Sequence, residues 1–138
     1  MKIGFTGTQN GLTPEQQETL LSILKDEAKK GSEFHHGDCI GADSEAHTIA
    51  RELGLRIIIH PPRNRSKRAY CEGDKTLLAY TYLVRNHHIV DASEVLIACP
   101  KHYTEELRFG TWATIRYARL KNKRTIIIYP DGSSGDGK

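Results

Sequence analysis

Two glycine-containing loops are the residues of this chain whose types and spacing first indicate chemistry. Glycines stand at positions 7 and 11 and again at 37 and 41, with the same spacing. Glycine lets a backbone approach a ligand closely, and the N–H groups at a helix start attract anions. Tight strand-to-helix turns are the simpler use of such glycines, but the repeated spacing favours a ligand. The predicted phosphate-binding residues of these loops are Gly7, Thr8, Gln9, Gly11, Gly37, Asp38, Gly41, Ala42 and Asp43.

Neither loop matches a better-known nucleotide fingerprint. No GxGxxG follows the first predicted strand, and no GxxxxGK[ST] occurs. The first pattern is typical of dinucleotide-binding proteins and the second of P-loop nucleoside triphosphatases. The sequence therefore argues against a P-loop enzyme.

Two later segments add candidates for the same site. Arg85 can offer a bidentate fork to a phosphate or carboxylate, and Asn86 follows it. Gly110 and Thr111 begin another predicted helix after a strand and a loop. The plainer alternatives are an exposed helical arginine and an ordinary helix cap. A basic loop could clamp a phosphate or contact nucleic acid, with a solvated loop as the alternative; its residues are Arg63, Arg65, Lys67, Arg68 and Tyr70. Within it, Lys67, Arg68 and Tyr70 are the candidates for covering the base of a bound nucleotide.

The histidines and cysteines do not predict a metal site. His35 and His36 point to opposite faces of a strand, and no second pair completes a tetrahedral set with Cys39. The three cysteines include no CxxC pair, so we expect free thiols in a reducing compartment. Cys99 is interpreted as a buried apolar residue.

The elements that position these residues alternate along the chain. Short β-type runs cover 2–6, 33–36, 55–59, 95–99 and 125–129. Helical patterns lie between them: one begins at Thr13 and ends before Gly31, one ends at Gly54, and two cover 77–92 and 111–121. The polar stretch 63–75 is predicted to be a long loop.

This order predicts an α/β fold, a three-layer α/β/α Rossmann-like domain with a mostly parallel five-stranded sheet. In such sheets the ligand lies beyond the carboxyl ends of the strands, where the strand order reverses. We expect a single domain over 1–130 and a disordered, Gly/Ser-rich tail over 131–138. The balance of 38% hydrophobic and 27% charged residues is typical of a globular protein, and the net charge is +3. The N-terminus has no long apolar run, so a cytoplasmic protein is expected.

Three motifs resemble the SLOG superfamily, a Rossmann-like group that includes LOG phosphoribohydrolases, DNA-processing protein A and molybdenum cofactor carriers. They are the runs 37–43, 85–89 and 110–112, and the resemblance extends from residue 2 to about 130. In register with the LOG pattern, Arg85 holds the family arginine, Asn86 replaces a lysine and Ile89 a methionine. The resemblance implies a phosphate cradle at Gly110 and Thr111.

The resemblance supports the ligand site better than the hydrolase reaction. LOG enzymes carry a glutamate that supports cleavage of the N-glycosidic bond, and its position here is Thr114. A carboxylate can stabilise an oxocarbenium ion or activate water, and threonine cannot. Catalytic residues are therefore unassigned, with Arg85 and Glu106 as candidates.

The leading hypothesis is binding of a nucleotide or nucleotide-derived, phosphate-bearing ligand at the carboxyl edge of the sheet. The alternatives are a nucleoside 5'-monophosphate phosphoribohydrolase, a pterin-type molybdenum-cofactor carrier and a nucleic-acid-binding protein. The resemblance also implies a homodimer. No cofactor beyond the nucleotide-like ligand is expected, and no membrane partner.

Overall fold

A computed structural model describes residues 1–105 and 110–136 of the chain. Its four helices are α1 (Pro14–Glu27), α2 (Ala42–Glu52), α3 (Tyr82–Ala92) and α4 (Thr111–Leu120). Its seven strands are β1 (Lys2–Gly7), β2 (Glu33–His36), β3 (Arg56–Ile59), β4 (Lys75–Thr76), β5 (Val95–Cys99), β6 (Arg124–Ile128) and β7 (Ser134–Asp136). A 3-10 helix, Arg65–Lys67, lies between β3 and β4.

The strands form one sheet in the order β4-β3-β2-β1-β5-β6-β7, in which every pair is parallel except β6 with β7. The chain moves outward from β1 through β2 and β3 and then returns to the other side of β1 with β5. The strand order therefore reverses between β1 and β5, so a crevice opens at their carboxyl ends.

Side chains on alternate residues of the central strands serve two helical layers. Ile3 and Phe5 of β1 belong to a core cluster that includes residues of α1 and α2, whereas Leu96 of β5 packs with residues of α3 and α4. On that second face a Cβ at Gly4 would collide with the Ser93 hydroxyl. The predicted three-layer arrangement is thus confirmed.

Helix α1 begins as its sequence predicts. The Gln16 amide donates to Thr13 Oγ1 and the Thr13 amide to Gln16 Oε1, both at 3.0 Å, which forms a capping box with Pro14 in the first turn. The same Gln16 side chain is buried and donates from Nε2 to the carbonyl oxygens of Pro100 and Ile128, each at 3.0 Å. A helix start thus fixes the carboxyl ends of β5 and β6.

Three parts of the predicted element pattern are wrong. The sheet has seven strands instead of five, because β4 lies in the stretch expected to be a loop and β7 in the stretch expected to be a disordered tail. Both join the sheet through backbone pairing and carry no apolar alternation that a sequence pattern could reveal. Helix α3 begins at Tyr82, five residues later than predicted. Leu77, the predicted start, continues the pairing beside β4, because its amide donates to the Ile59 carbonyl.

No helix among the described residues 1–105 and 110–136 combines the length and the apolar character that crossing a bilayer requires.

Candidate functional site

Two cavities lie where β1 and β5 end. The polar cavity, of about 310 Å³, is formed by the segments 7–10, 101–102 and 110–112. The apolar cavity, of about 520 Å³, lies beside it, and its wall includes Phe5, Leu83, Ile89 and Ala113 together with Cys39, Asp43, Tyr82, Arg85 and Asn86. Both volumes are within the range of small-molecule sites.

The structure brings together part of the predicted site. Gly7, Gln9 and Gly110 line both cavities. Thr8 and Thr111 line the polar cavity, and Asp43, Arg85 and Asn86 line the apolar one. Among the described residues that form these walls, five of the predicted ones do not occur: Gly11, Gly37, Asp38, Gly41 and Ala42.

The glycines of the two matched loops let the loops contact each other. A Cβ at Gly7 would lie 2.5 Å from the Cβ of Ala42, and a Cβ at Gly41 would collide with the carbonyl of Gln9. The Ala42 amide donates to the Thr8 carbonyl at 3.0 Å. The matched spacing that predicted a ligand therefore also serves close packing of the β1 loop against the start of α2.

Replacing Gly41 by alanine is expected to destabilise the protein by about 2–4 kcal/mol, since φ is +92° and the new methyl group would meet the Gln9 backbone. Gly31→Ala is the matched control, because Gly31 has a similar φ of +87° and no atom within 4 Å of a Cβ. Urea unfolding of both variants separates backbone strain from collision. Equal losses in the two variants would contradict the close contact of the loops.

Arg85 lines the apolar cavity and is 4% exposed. Its Nη1 donates to the carbonyl oxygens of Gly37 and His60, its Nη2 donates to Cys39 Sγ at 3.4 Å, and its Nε donates to Asn86 Oδ1 at 2.8 Å. A Cβ at Gly37 would collide with the guanidinium group. Arg85 thus joins the ends of β2 and β3 to α3, and most of its N–H groups already have protein acceptors.

Asp43 provides a buried carboxyl group in the same cavity. Burial raises its pKa to about 6, although the charge of Arg85 and backbone N–H groups of Cys39 and Gly37 act in the opposite direction. The Cys39 amide donates to Asp43 Oδ2 at 3.2 Å. A carboxyl group with such a pKa exchanges its proton close to neutral pH, as general acids and bases do.

Asp38 and the basic loop are bound to each other. Asp38 is fully buried and accepts hydrogen bonds from Arg68 Nε at 2.7 Å and from the Cys71 amide at 2.9 Å. The Arg68 guanidinium lies over the Tyr70 ring, 4.7 Å from its centroid, and the Lys67 carbonyl accepts from the Ile40 amide. The described walls of both cavities contain none of the three loop residues, so a base-covering role stays a prediction.

Thr114 stands at the position where LOG enzymes carry a glutamate, so no carboxylate is present there. Thr114 is buried, and its hydroxyl donates to the Gly110 carbonyl within the first turn of α4. Glu105 is paired with Arg116 at 3.2 Å. Glu106, one of the predicted catalytic candidates, lies outside the described residues.

A group of potential metal ligands that the sequence analysis missed lies behind the loop. The ligand atoms of His36, His47 and Cys71 lie within 4.8 Å of one another, but their separation in sequence gave no signal. The Asp38 amide donates to His36 Nδ1, so the neutral ring carries its proton on Nε2, which contacts His47 Nδ1 at 2.9 Å. Burial also raises the pKa of Cys71 to about 11. The arrangement is thus that of a hydrogen-bonded histidine pair.

The cavity walls also contain polar and aromatic residues that were not predicted as site residues, among them Tyr82, Lys101, His102 and Trp112. Lys101 and His102 follow a predicted buried strand, which is the signal that could have indicated them. The Arg85 guanidinium carbon lies over the Tyr82 ring, 5.2 Å from the ring centroid.

No protein-family model matches the chain, and no curated protein sequence matches it significantly. Solved structures do match. The molybdenum cofactor binding protein from Rippkaea orientalis is 20% identical, with a TM-score of 0.72, over 93% of this chain and 76% of its own.

Two other structures have comparable likeness. The Moco carrier protein from Chlamydomonas reinhardtii is 22% identical, with a TM-score of 0.66, over 91% of this chain and 74% of its own. DNA processing protein A from Helicobacter pylori, described with a single-stranded DNA binding mode, is 19% identical, with a TM-score of 0.67. The match covers 99% of this chain and 69% of the Helicobacter protein. At these identities the likeness concerns the fold. The chain therefore shares the Rossmann-like fold of these structures, as its sequence predicts.

Proposed function

We propose that the protein binds a nucleotide or nucleotide-derived ligand, with its phosphate in the polar cavity and its ring system in the apolar cavity. The observation that carries this proposal is that the two cavities share Gly7, Gln9 and Gly110 at the crevice between β1 and β5. A parallel sheet binds ligands at this place. A ligand with one anionic and one flat apolar part matches the two neighbouring volumes.

The chemistry of the polar cavity suits an anion. It contains Lys101 and the start of α4, whose N-cap residue Gly110 provides no side-chain hydrogen bond. The first amides of a helix are donors, and the helix dipole adds positive potential there. A phosphate group can use the lysine and these amides together.

The chemistry of the apolar cavity suits a ring with a polar edge. Leu83, Ile89 and Ala113 provide apolar surface, and Tyr82 provides an aromatic ring. The Asn86 side chain, whose Oδ1 already accepts from Arg85, can offer its amide nitrogen. Such walls with few polar groups fix the orientation of a bound base.

Hydrolysis of the ligand is the second candidate, and Asp43 is the observation that favours it. Among the described residues that line the apolar cavity, Asp43 is the acidic one, and its pKa is raised to about 6 by burial. In a phosphoribohydrolase reaction this carboxyl group would take the role that Thr114 cannot perform.

The remaining alternatives come from the comparison with solved structures. Two similar structures are molybdenum cofactor proteins, and a pterin with a phosphate group has the same two-part chemistry. A third is described as binding single-stranded DNA, for which Lys67 would supply charge, whereas Arg68 is already paired with Asp38. A homodimer and a cytoplasmic location stay predictions.

Lys101→Ala is expected to weaken binding of a nucleoside 5'-monophosphate about fivefold to tenfold, since it removes a cation from the phosphate subsite. Lys30→Ala is the control with the same charge change, because Lys30 precedes β2 at the amino edge of the sheet. Calorimetric titrations of both variants would use nucleoside monophosphates, a pterin phosphate and a single-stranded oligonucleotide.

Three outcomes separate the candidates. Binding of a monophosphate without release of its free base supports a binding protein. Release of free base by the wild type, abolished in Asp43→Asn, supports a hydrolase. Preference for the pterin phosphate supports a carrier. The proposal is wrong if no phosphate-bearing probe binds, or if the oligonucleotide binds alone.

A further inference from the structure

The indole N–H group of Trp112 is a buried donor without an acceptor. Trp112 is 5% exposed, and its Nε1 has no hydrogen-bond partner among the described residues. No other buried side-chain nitrogen or oxygen in the described chain lacks a partner in this way. Buried polar groups in folded proteins nearly always have partners, so such a donor indicates an acceptor from outside the chain.

The residue that carries this donor is part of the wall of the polar cavity. Trp112 is the second residue of α4, and it lines the polar cavity next to Gly110, Thr111 and Lys101. Its ring packs against Ala98 of β5 and against other buried residues, which fixes its position. The helix start with a glycine at its N-cap and the unpartnered indole are two independent features at one cavity.

We propose that Trp112 is a specificity-determining residue, whose Nε1–H donates a hydrogen bond to an anionic phosphate oxygen of the ligand in the polar cavity. This inference deepens the proposed function and rests on it. An indole donates and cannot accept, so an amino or ammonium group at this point would leave both donors unsatisfied. A phosphate instead has several acceptor oxygens, which the helix amides, Lys101 and the indole can share.

The chain contains one tryptophan, so its indole N–H can be observed directly. A ¹⁵N-labelled full-length sample should give a single indole cross-peak in a ¹H–¹⁵N spectrum. Titration with inorganic phosphate and with a nucleoside 5'-monophosphate is expected to move this peak to higher proton frequency. Its midpoint should equal the dissociation constant from calorimetry.

A change of one atom provides the second measurement. Biosynthetic replacement of the single tryptophan by β-(3-benzothienyl)alanine exchanges the N–H for sulfur and keeps the ring shape. We expect affinity for the monophosphate to fall about tenfold or more, as for loss of a hydrogen bond to a charged group. Thermal unfolding of the unliganded protein should not weaken, because the lost donor had no protein partner.

The outcomes distinguish this inference from the proposed function. If the probes bind but the indole peak does not move, or if the benzothienyl protein keeps its affinity, the role of Trp112 is wrong and ligand binding stands. A bridging water or a purely structural tryptophan would produce this result. If calorimetry detects no binding of either probe, both the inference and the proposed function fail.

Discussion

Arg85→Ala is expected to lower the free energy of unfolding by about 3–5 kcal/mol, the range measured when one partner of a buried ionic group is removed. The guanidinium is 4% exposed and donates to acceptors on three segments, namely Gly37, His60 and Asn86, and to Cys39 Sγ. Alanine would leave these acceptors without donors in a site from which water is largely excluded. Urea unfolding at neutral pH measures the loss.

Asp43 makes this loss depend on pH. The charge of Arg85 holds the pKa of Asp43 lower than burial alone would set it, so the variant should raise that pKa above about 6. Near pH 5 the carboxyl group is mostly neutral in both proteins, and the difference in stability should be smaller than at pH 8. Equal losses at the two values would contradict electrostatic compensation between the two groups.

Arg56→Ala is the control for the loss of an arginine as such. The Arg56 side chain is 53% exposed, and its contact with Glu33 is 3.9 Å long. Such exposed pairs contribute little, so the unfolding free energy should stay within about 0.5 kcal/mol of the wild type. If Arg85→Ala is equally mild, Arg85 does not hold the strand ends together. If that variant does not fold, Arg85→Lys, which keeps the charge but not the fork, should show a partial loss.

This use of Arg85 shows where sequence reasoning about the site was incomplete. Arg85 was predicted to bind phosphate, and in the structure its donors face protein carbonyls. A signal for burial was present, because Arg85 stands four residues before the buried Ile89 and therefore shares its helical face. Residue type indicated an anion partner, whereas periodicity indicated the core.

The fold was predictable wherever side chains determine it. All five residues of β5, 95–99, are buried, so the apolar run predicts a strand covered on both faces. The Thr13 and Gln16 pair predicts the start of α1. In contrast, Lys75 and Thr76 of β4 are exposed, and only their backbone pairing with β3 makes them a strand.

The position of the candidate site was predictable, but its division of roles was not. The rule for parallel sheets places it at the carboxyl ends of β1 and β5, where both cavities are found. The unpartnered Nε1 of Trp112 and the burial of Asp43 depend on which side chains meet across the sheet. Contacts between residues so far apart in sequence leave no pattern along the chain.

Acidification is expected to destabilise the protein through His60, by about 2 kcal/mol between about pH 7.5 and pH 5. Burial, and then the positive charges of His35, His88 and Arg85, lower the pKa of His60 to about 3. The unfolded chain, in which this pKa is near 6.5, therefore takes up the proton first as the pH falls. Stability that is complete above pH 6.5 is then lost progressively toward pH 3.

The surroundings of His60 explain why its side chain resists protonation in the folded protein. His35 contacts Glu33 Oε1 through Nε2 at 2.9 Å and His60 Nε2 through Nδ1 at 2.8 Å. Because the carboxylate accepts, the neutral His35 has its proton on Nε2, and its Nδ1 accepts from His60. A proton added to His60 would place a charge in a site that is 4% exposed and already faces the Arg85 guanidinium.

His60→Gln isolates this contribution, since glutamine keeps an N–H donor for His35 but does not titrate. The stability advantage of the wild type over the variant should shrink by about 2 kcal/mol across this pH interval, measured by urea unfolding. Asp43→Asn is the control, and its effect should have the opposite sign. Because the pKa of Asp43 is raised to about 6, the stability advantage of the wild type over this variant should grow as the pH falls. The burial of His36 lowers its pKa as well, so the wild type should still lose stability in acid after His60 is replaced. If the curves of unfolding free energy against pH are parallel for wild type and His60→Gln, His60 is hydrated in solution and its buried hydrogen bond with His35 is not formed.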